Sequence, residues 1–254
     1  MNKLKNNALI ISYILDHKDE NFNLKKMAND IGMSHSTLCV NLKNLKEEDY
    51  IVRNKKNYDF TSSGILFSQI ILNYINSKKV LEEFSNLWCN HIVSDIPRKS
   101  INEIYALNNS NLLYSKNYDV YSPENYLIDN MEESTYLYAI IPKVNLKYAD
   151  LISLLLKNNV PVYLIFPKTI IRNFIDLLDD DLINNPNLHV FFSDKDLKLN
   201  LFINDFMFCL NLFRYDNSLD EHILLVSDDS DAVKWAKSLY FNIFDVEKVN
   251  SYTL

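Results

Sequence analysis

Leu24-Lys-Lys-Met27-Ala28-Asn-Asp-Ile31-Gly32-Met33-Ser34-His35-Ser36-Thr37-Leu38-Cys39-Val40-Asn41-Leu42-Lys43-Asn44-Leu45 holds apolar residues at three- and four-residue spacing on both sides of a glycine. That spacing predicts two short amphipathic helices. Glycine takes positive φ without steric cost, so Gly32 can end the first helix in a tight turn. Ser34 is then a natural N-cap for the second, with His35, Ser36 and Thr37 as its first turn. Two helices joined this way form the motif whose second helix enters the major groove of DNA. Leu38, Leu42 and Leu45 are expected to face the core, leaving Ser36, Thr37, Val40, Asn41 and Asn44 outward.

Working outward from that motif, residues 49–60 alternate as a strand, a polar basic turn and a second strand, which predicts a hairpin wing. Thr61 is placed to cap a following helix whose first turn contains Gly64. Gly32 and Gly64 are the two glycines of the chain. The string resembles the archaeal and bacterial winged-helix repressors through Ser36-Thr37-Leu38, Leu42-x-x-Leu45 and Phe60-Thr61-x-x-Gly64. Where those families often place a mid-helix arginine this chain has Val40, which removes the usual bidentate contact to guanine. The expected DNA-contacting residues are Ser34, His35, Ser36, Thr37, Val40, Asn41 and Lys43 on the helix and Arg53, Lys55, Lys56 and Asn57 on the wing. Asn41 is the candidate for bidentate bonding to adenine.

The 254 residues, 48% hydrophobic and 23% charged, suit a globular protein of two domains. No apolar run reaches the roughly 18 residues of a membrane span, and residues 1–16 form an amphipathic helix without a signal-peptide pattern, so a cytoplasmic location is expected. Cys39, Cys89 and Cys209 are isolated, which gives neither a disulfide framework nor a metal-binding pair. Cys89 with His91 comes nearest to a ligand pair, and packing roles are preferred for both; no cofactor is expected. Net charge is -7, unevenly spread: residues 1–64 hold ten basic and eight acidic side chains, and residues 65–254 hold 16 and 25. A mildly basic unit before an acidic remainder fits a protein that presents one face to phosphates.

Residues 61–92 carry a helical stripe, with a possible interruption at 76–79, that could pair two subunits. Beyond it, apolar strands at 112–115, 135–142, 160–167 and 188–193 alternate with helices, one of them opened by Ser122 as N-cap with Pro123 and Glu124 behind it. Such alternation predicts an α/β sandwich with a largely parallel sheet. Residues 197–203 and 206–212 read as one β-hairpin joined through Asn204-Asp205, and 223–227 as a last strand before a closing helix capped by aspartates of the 228–231 run. The expected domains are 1–64 (winged helix-turn-helix), 65–92 (connecting and dimerising helix) and 93–254 (sensor).

Phe84-x-x-x-Trp88-x-x-His91, Ile96-Pro97, Ile104-x-x-Leu107, Ser122-Pro123-Glu124, the strand–helix repeats and the 198–213 hairpin resemble, over about residues 84–245, the archaeal winged-helix regulators with a methanogenesis regulatory protein middle domain. The resemblance implies a transcriptional regulator with a C-terminal sensor. Catalytic readings fare worse. A phospholipase-D-like phosphodiesterase needs a His-x-Lys strand, and no histidine here has lysine two residues on. Phosphate-cradling loops need glycines, and none follows Gly64. The expectation is therefore a non-enzyme, a homodimer bound to operator DNA, with a protein-interaction module as the alternative. Ligands of open α/β sheets sit beyond strand carboxyl ends. A small anionic or polar effector would then meet Lys143, Lys168, Thr169, Asp194 and Lys195.

Overall fold

The computed structural model describes residues 2–17, 23–55, 57–246 and 250–251, and divides into two compact units, Met1–Lys78 and Lys79–Leu254. In the first, α1 (Asn2–Asp16), α2 (Leu24–Asp30) and α3 (His35–Glu47) precede β1 (Ile51–Asn54), β2 (Asn57–Phe60) and α4 (Ser62–Glu83), a helix that crosses the boundary. Ile10, Ile14, Met27, Leu38, Leu42, Leu45 and Ile51 form its core. Burial of one stripe from each of three helices stabilises helices that would be marginal alone.

In the second unit, α5 (Ser85–Asn90), α6 (Arg98–Asn102) and a 3₁₀ turn (Ile104–Asn109) lead to β3 (Asn111–Tyr114), α7 (Ser122–Met131), β4 (Leu137–Ile140), α8 (Leu146–Lys157) and β5 (Val162–Pro167). Then follow α9 (Ile171–Ile175), α10 (Asp180–Ile183), β6 (Leu188–Ser193), β7 (Leu199–Ile203), β8 (Phe208–Leu212), β9 (Ile223–Ser227), α11 (Ser230–Val246) and β10 (Asn250–Ser251). The sheet runs β10-β6-β5-β4-β7-β8-β9-β3. One face sets Ala139, Leu164, Phe202, Cys209 and Val226 against Leu127, Leu151, Leu155 and Phe174. The other sets Ile140, Ile165, Leu201, Leu210 and Leu225 against Leu87, Trp235 and Leu239, and takes in Val80 and Phe84 from the helical stretch that follows the wing.

The expected α/β architecture is present, but the sheet is less parallel than its alternation suggested. Among the described residues only β4–β5 and β5–β6 run parallel; β4–β7, β7–β8, β8–β9, β3–β9 and β6–β10 are antiparallel. An unbroken apolar run reports burial on both faces, not direction, and all five residues of β7 and of β8 are buried. Direction follows the connections: helical crossovers make the two parallel pairs, and a hairpin makes the next antiparallel. That hairpin pairs Ile203 with Phe208, so its loop is four residues instead of two. Asn204 holds the loop by accepting from the Phe206 and Met207 backbone N–H groups.

Two smaller expectations are also corrected. The post-wing helix breaks at Phe84 and not at 76–79. Ser122 lies inside α7 and donates to Asp119 O at 2.9 Å instead of capping the helix. Asp229 does cap α11, accepting from the Asp231 and Ala232 N–H groups.

Candidate nucleic-acid interface

The turn between α2 and α3 is built as its sequence demands. Gly32 stands at φ +65, and N–H groups of Gly32 and Met33 bond Asn29 O and Ala28 O at 3.1 and 2.8 Å, a Schellman closure. Ser34 then accepts from Thr37 N at 3.1 Å, and its hydroxyl lies 3.0 Å from Ser36 Oγ and 2.7 Å from Thr37 Oγ1. The hydroxyls of the first turn are thus ordered against each other at the exposed start of α3. His35, Ser36, Thr37, Val40 and Lys43 are all exposed.

Asn41 is not. It is 6% exposed, with Nδ2 donating to Thr37 O at 2.8 Å. The reason is spacing: Asn41 is three residues beyond Leu38 and four before Leu45, on the inward stripe. The expectation of an outward asparagine reading adenine is therefore withdrawn.

The wing is a tight hairpin with Asn54 paired to Asn57 and Lys55 at φ +55 in its turn. Arg53 and Lys55 are exposed, Asn57 is partly buried, and Arg53 Nε donates to Lys55 O at 3.3 Å. Lys56 lies outside the described residues. Between helix and wing runs a cleft of about 220 Å³ lined by Leu24, Cys39, Leu42, Lys43, Lys46, Arg53 and Tyr58. It gathers cations from two elements onto one surface. Lys46 was absent from the expected DNA-facing residues, although its place one turn after Lys43 signals the same face.

In the second unit the strand-end residues are brought together only in part. Lys168 lies 3.5 Å from Asp194, and both are exposed, as is Thr169. Lys143 instead pairs with Glu221 at 3.2 Å, and Lys195 lines a separate cleft of about 200 Å³ with Asp95 and Asp196.

Two buried polar groups escaped the sequence reading. His91 and Asp220, 1% and 2% exposed, meet at 2.9 Å through Nε2 and Oδ2, while His91 Nδ1 lies 2.8 Å from Leu87 O. Both ring nitrogens thus face an oxygen of a neighbouring group. Arg214 adds two bonds to the Asp220 carboxylate, at 3.0 and 2.9 Å. Burial pushes the Asp220 carboxyl up, yet the bonds from Arg214, His91 and the His222 N–H outweigh it and hold the group below the usual carboxylate range. The second group is Tyr148, Asn200 and Asn211: Asn200 Nδ2 donates to Tyr148 Oη and to Asn211 Oδ1, both at 3.1 Å. Its signal was present as single asparagines inside the apolar strands Leu199-Asn-Leu-Phe-Ile and Phe208-Cys-Leu-Asn-Leu.

The chain thus holds a winged helix-turn-helix unit followed by an α/β unit. Residues 120–245, close to half of the chain, match the family model of the methanogenesis regulatory protein FilR1, middle domain. The resemblance drawn from its sequence motifs is thereby met. Among solved structures, that of TrmBL2, described as an archaeal chromatin protein with a novel mode of DNA binding, is similar with a TM-score of 0.43 and 11% identity. The likeness covers 91% of this chain and 88% of that one. No curated protein matches. No helix among the described residues is long and apolar enough to cross a membrane.

Proposed function

We propose that the protein is a DNA-binding transcriptional regulator in which residues 1–64 read the duplex, residues 65–92 connect and dimerise, and residues 93–254 respond to a small molecule. The observation that carries this reading is the pairing of an exposed, hydroxyl-capped α3 N-terminus with the cationic cleft of Lys43, Lys46 and Arg53. Helix N-termini and flexible cations suit phosphate contacts, while base edges are left to His35, Ser36, Thr37 and Val40. With Asn41 internal and no arginine at position 40, discrimination between bases is expected to be modest beside the phosphate term.

Replacing Arg53 and Lys55 together by alanine should weaken binding to every duplex alike and reduce the salt slope of log affinity by up to about 1.8, about 0.9 for each phosphate no longer neutralised. Fluorescence anisotropy over a salt series measures this. An unchanged slope removes the wing from the interface, and no retention of duplex DNA at low salt favours the protein-interaction alternative.

Dimerisation through α4 is supported by its outward apolar residues Ile65, Leu66 and Ile70, of which Leu66 is 70% exposed. A two-fold pair would bury this stripe and match palindromic half-sites. Leu66→Glu with Ile70→Glu should halve the mass in solution measured by light scattering. A variant that keeps the mass of the unaltered protein places any dimer contact elsewhere.

A further inference from the structure

Asn200 is completely buried, and its side-chain orientation is fixed by its neighbours. Asn211 Nδ2 donates to the backbone oxygens of Asp220 and Ile223, at 3.2 and 2.8 Å. The Asn211 oxygen must therefore face Asn200, so Asn200 presents Nδ2 to it and cannot be turned round. That leaves Asn200 Oδ1 without a donor among the described residues. A buried carbonyl oxygen left unpaired costs about 1–3 kcal/mol, and native proteins rarely tolerate one without a role. Beside it, Tyr148 accepts from Asn200, which directs the hydroxyl proton of the tyrosine elsewhere. One open acceptor and one open donor thus lie side by side.

Polar side chains from several elements gather around this end of the sheet. Tyr148 comes from α8, and the two asparagines are directly paired across β7 and β8. From α7, Glu124 Oε1 accepts from Asn145 Nδ2 at 2.6 Å and its Oε2 pairs with Lys147 at 2.6 Å. The Lys143–Glu221 ion pair joins the end of β4 to the start of β9, spanning the two strands between them. Burial raises the Tyr148 hydroxyl well above its ordinary value, so the phenol keeps its proton and stays a hydrogen-bond donor. An unpaired charge is disfavoured at this depth, where Asn200, Tyr148 and Asn211 are all buried. A hydroxyl group, which donates and accepts at one oxygen, fits both open positions.

We propose that Tyr148, Asn200 and Asn211 form the effector site and take a small uncharged hydroxylated ligand, one hydroxyl of which bridges Asn200 Oδ1 and the Tyr148 O–H. This rests on the regulator reading above and moves the site from the ends of the parallel strands to the antiparallel half of the sheet. The hydrogen bonds of the site continue toward α5. Asn211 is bonded to the backbone of Asp220, whose carboxylate holds His91 directly after α5.

The test uses the full chain with labelled asparagine side chains and a panel of neutral probes (glycerol, erythritol, myo-inositol, glucose and galactose), with acetate and phosphate as anionic comparisons. At least one neutral probe should shift the Asn200 side-chain amide signals, and neither anion should. Tyr148→Phe should bind that probe about tenfold more weakly, equivalent to about 1.4 kcal/mol. Lys168→Ala should bind it as the unaltered protein does. If no neutral probe moves the Asn200 signals, or if Tyr148→Phe binds equally well, the assignment falls and the oxygen is met by water alone. Loss of binding in Lys168→Ala alone would return the site to the parallel strand ends. A probe that binds at Asn200 but leaves affinity for duplex DNA unchanged upholds the site and overturns its role in regulation.

Discussion

Gly64→Ala should destabilise the N-terminal unit by about 3 kcal/mol or more, the upper part of the range for overpacked sites. A Cβ built on Gly64 would stand 1.7 Å from the carbonyl oxygen of Tyr50, a backbone atom that no rotamer change can move. That oxygen also accepts from Thr61 N at 3.2 Å, so retreating from the methyl group would break the bond that seats the cap of α4. In an exposed helix alanine would be favoured over glycine by about 1 kcal/mol; here the clash decides the sign. For a unit of this size the destabilisation should lower the melting midpoint by more than about 10 °C. Circular dichroism melts, with hydrogen exchange over residues 24–64, measure it. Gly32 supplies the contrast, because its Cβ would meet nothing within 4 Å and only its φ of +65 matters. Gly32→Ala should cost about 1–2 kcal/mol and Gly32→Asn much less, since asparagine tolerates the left-handed region. A Gly64→Ala protein as stable as the original would refute the close-approach account.

Asp220→Ala should cost the C-terminal unit about 3 kcal/mol, because it leaves the buried His91 Nε2 without its partner and removes the carboxylate that Arg214 bonds. The pH dependence has a definite sign. The folded-state carboxyl titrates below its unfolded value, so the native state binds fewer protons through that interval. Its stabilisation is fully present above about pH 4, the ordinary aspartate value, and fades as pH falls through the lower folded value. Urea midpoints of the original protein and of Asp220→Asn, compared from neutral pH downward, should therefore converge in acid. A gap that stays constant to low pH would show that Asp220 acts by shape and not by charge.

Much of the N-terminal unit was legible because its signals are local. Gly32, Ser34 and Thr61 act on groups within a few residues, and the observed bonds are those their chemistry called for. Asn41 was misplaced although the information was present, since a residue three after Leu38 and four before Leu45 shares their stripe. The strand positions of the second unit were legible for a similar reason, as apolar runs bounded by polar ones. Their directions were not, because β7 inserts beside β4 and β3 returns to β9 over long stretches of chain.

What the amino-acid order alone determined, then, was the helix-turn-helix, its wing, its caps and where the buried segments of the α/β unit lie. Hydrogen bonds and periodicities that span fewer than about five residues carry those features. Only the tertiary structure decided that Gly64 is needed for close approach to Tyr50 O, that Lys143 turns to Glu221, and that Asn200 meets Asn211 and Tyr148 in the core. Each depends on strand order or register between residues distant in the chain. Long-range packing, not local preference, selects among the arrangements that local chemistry permits.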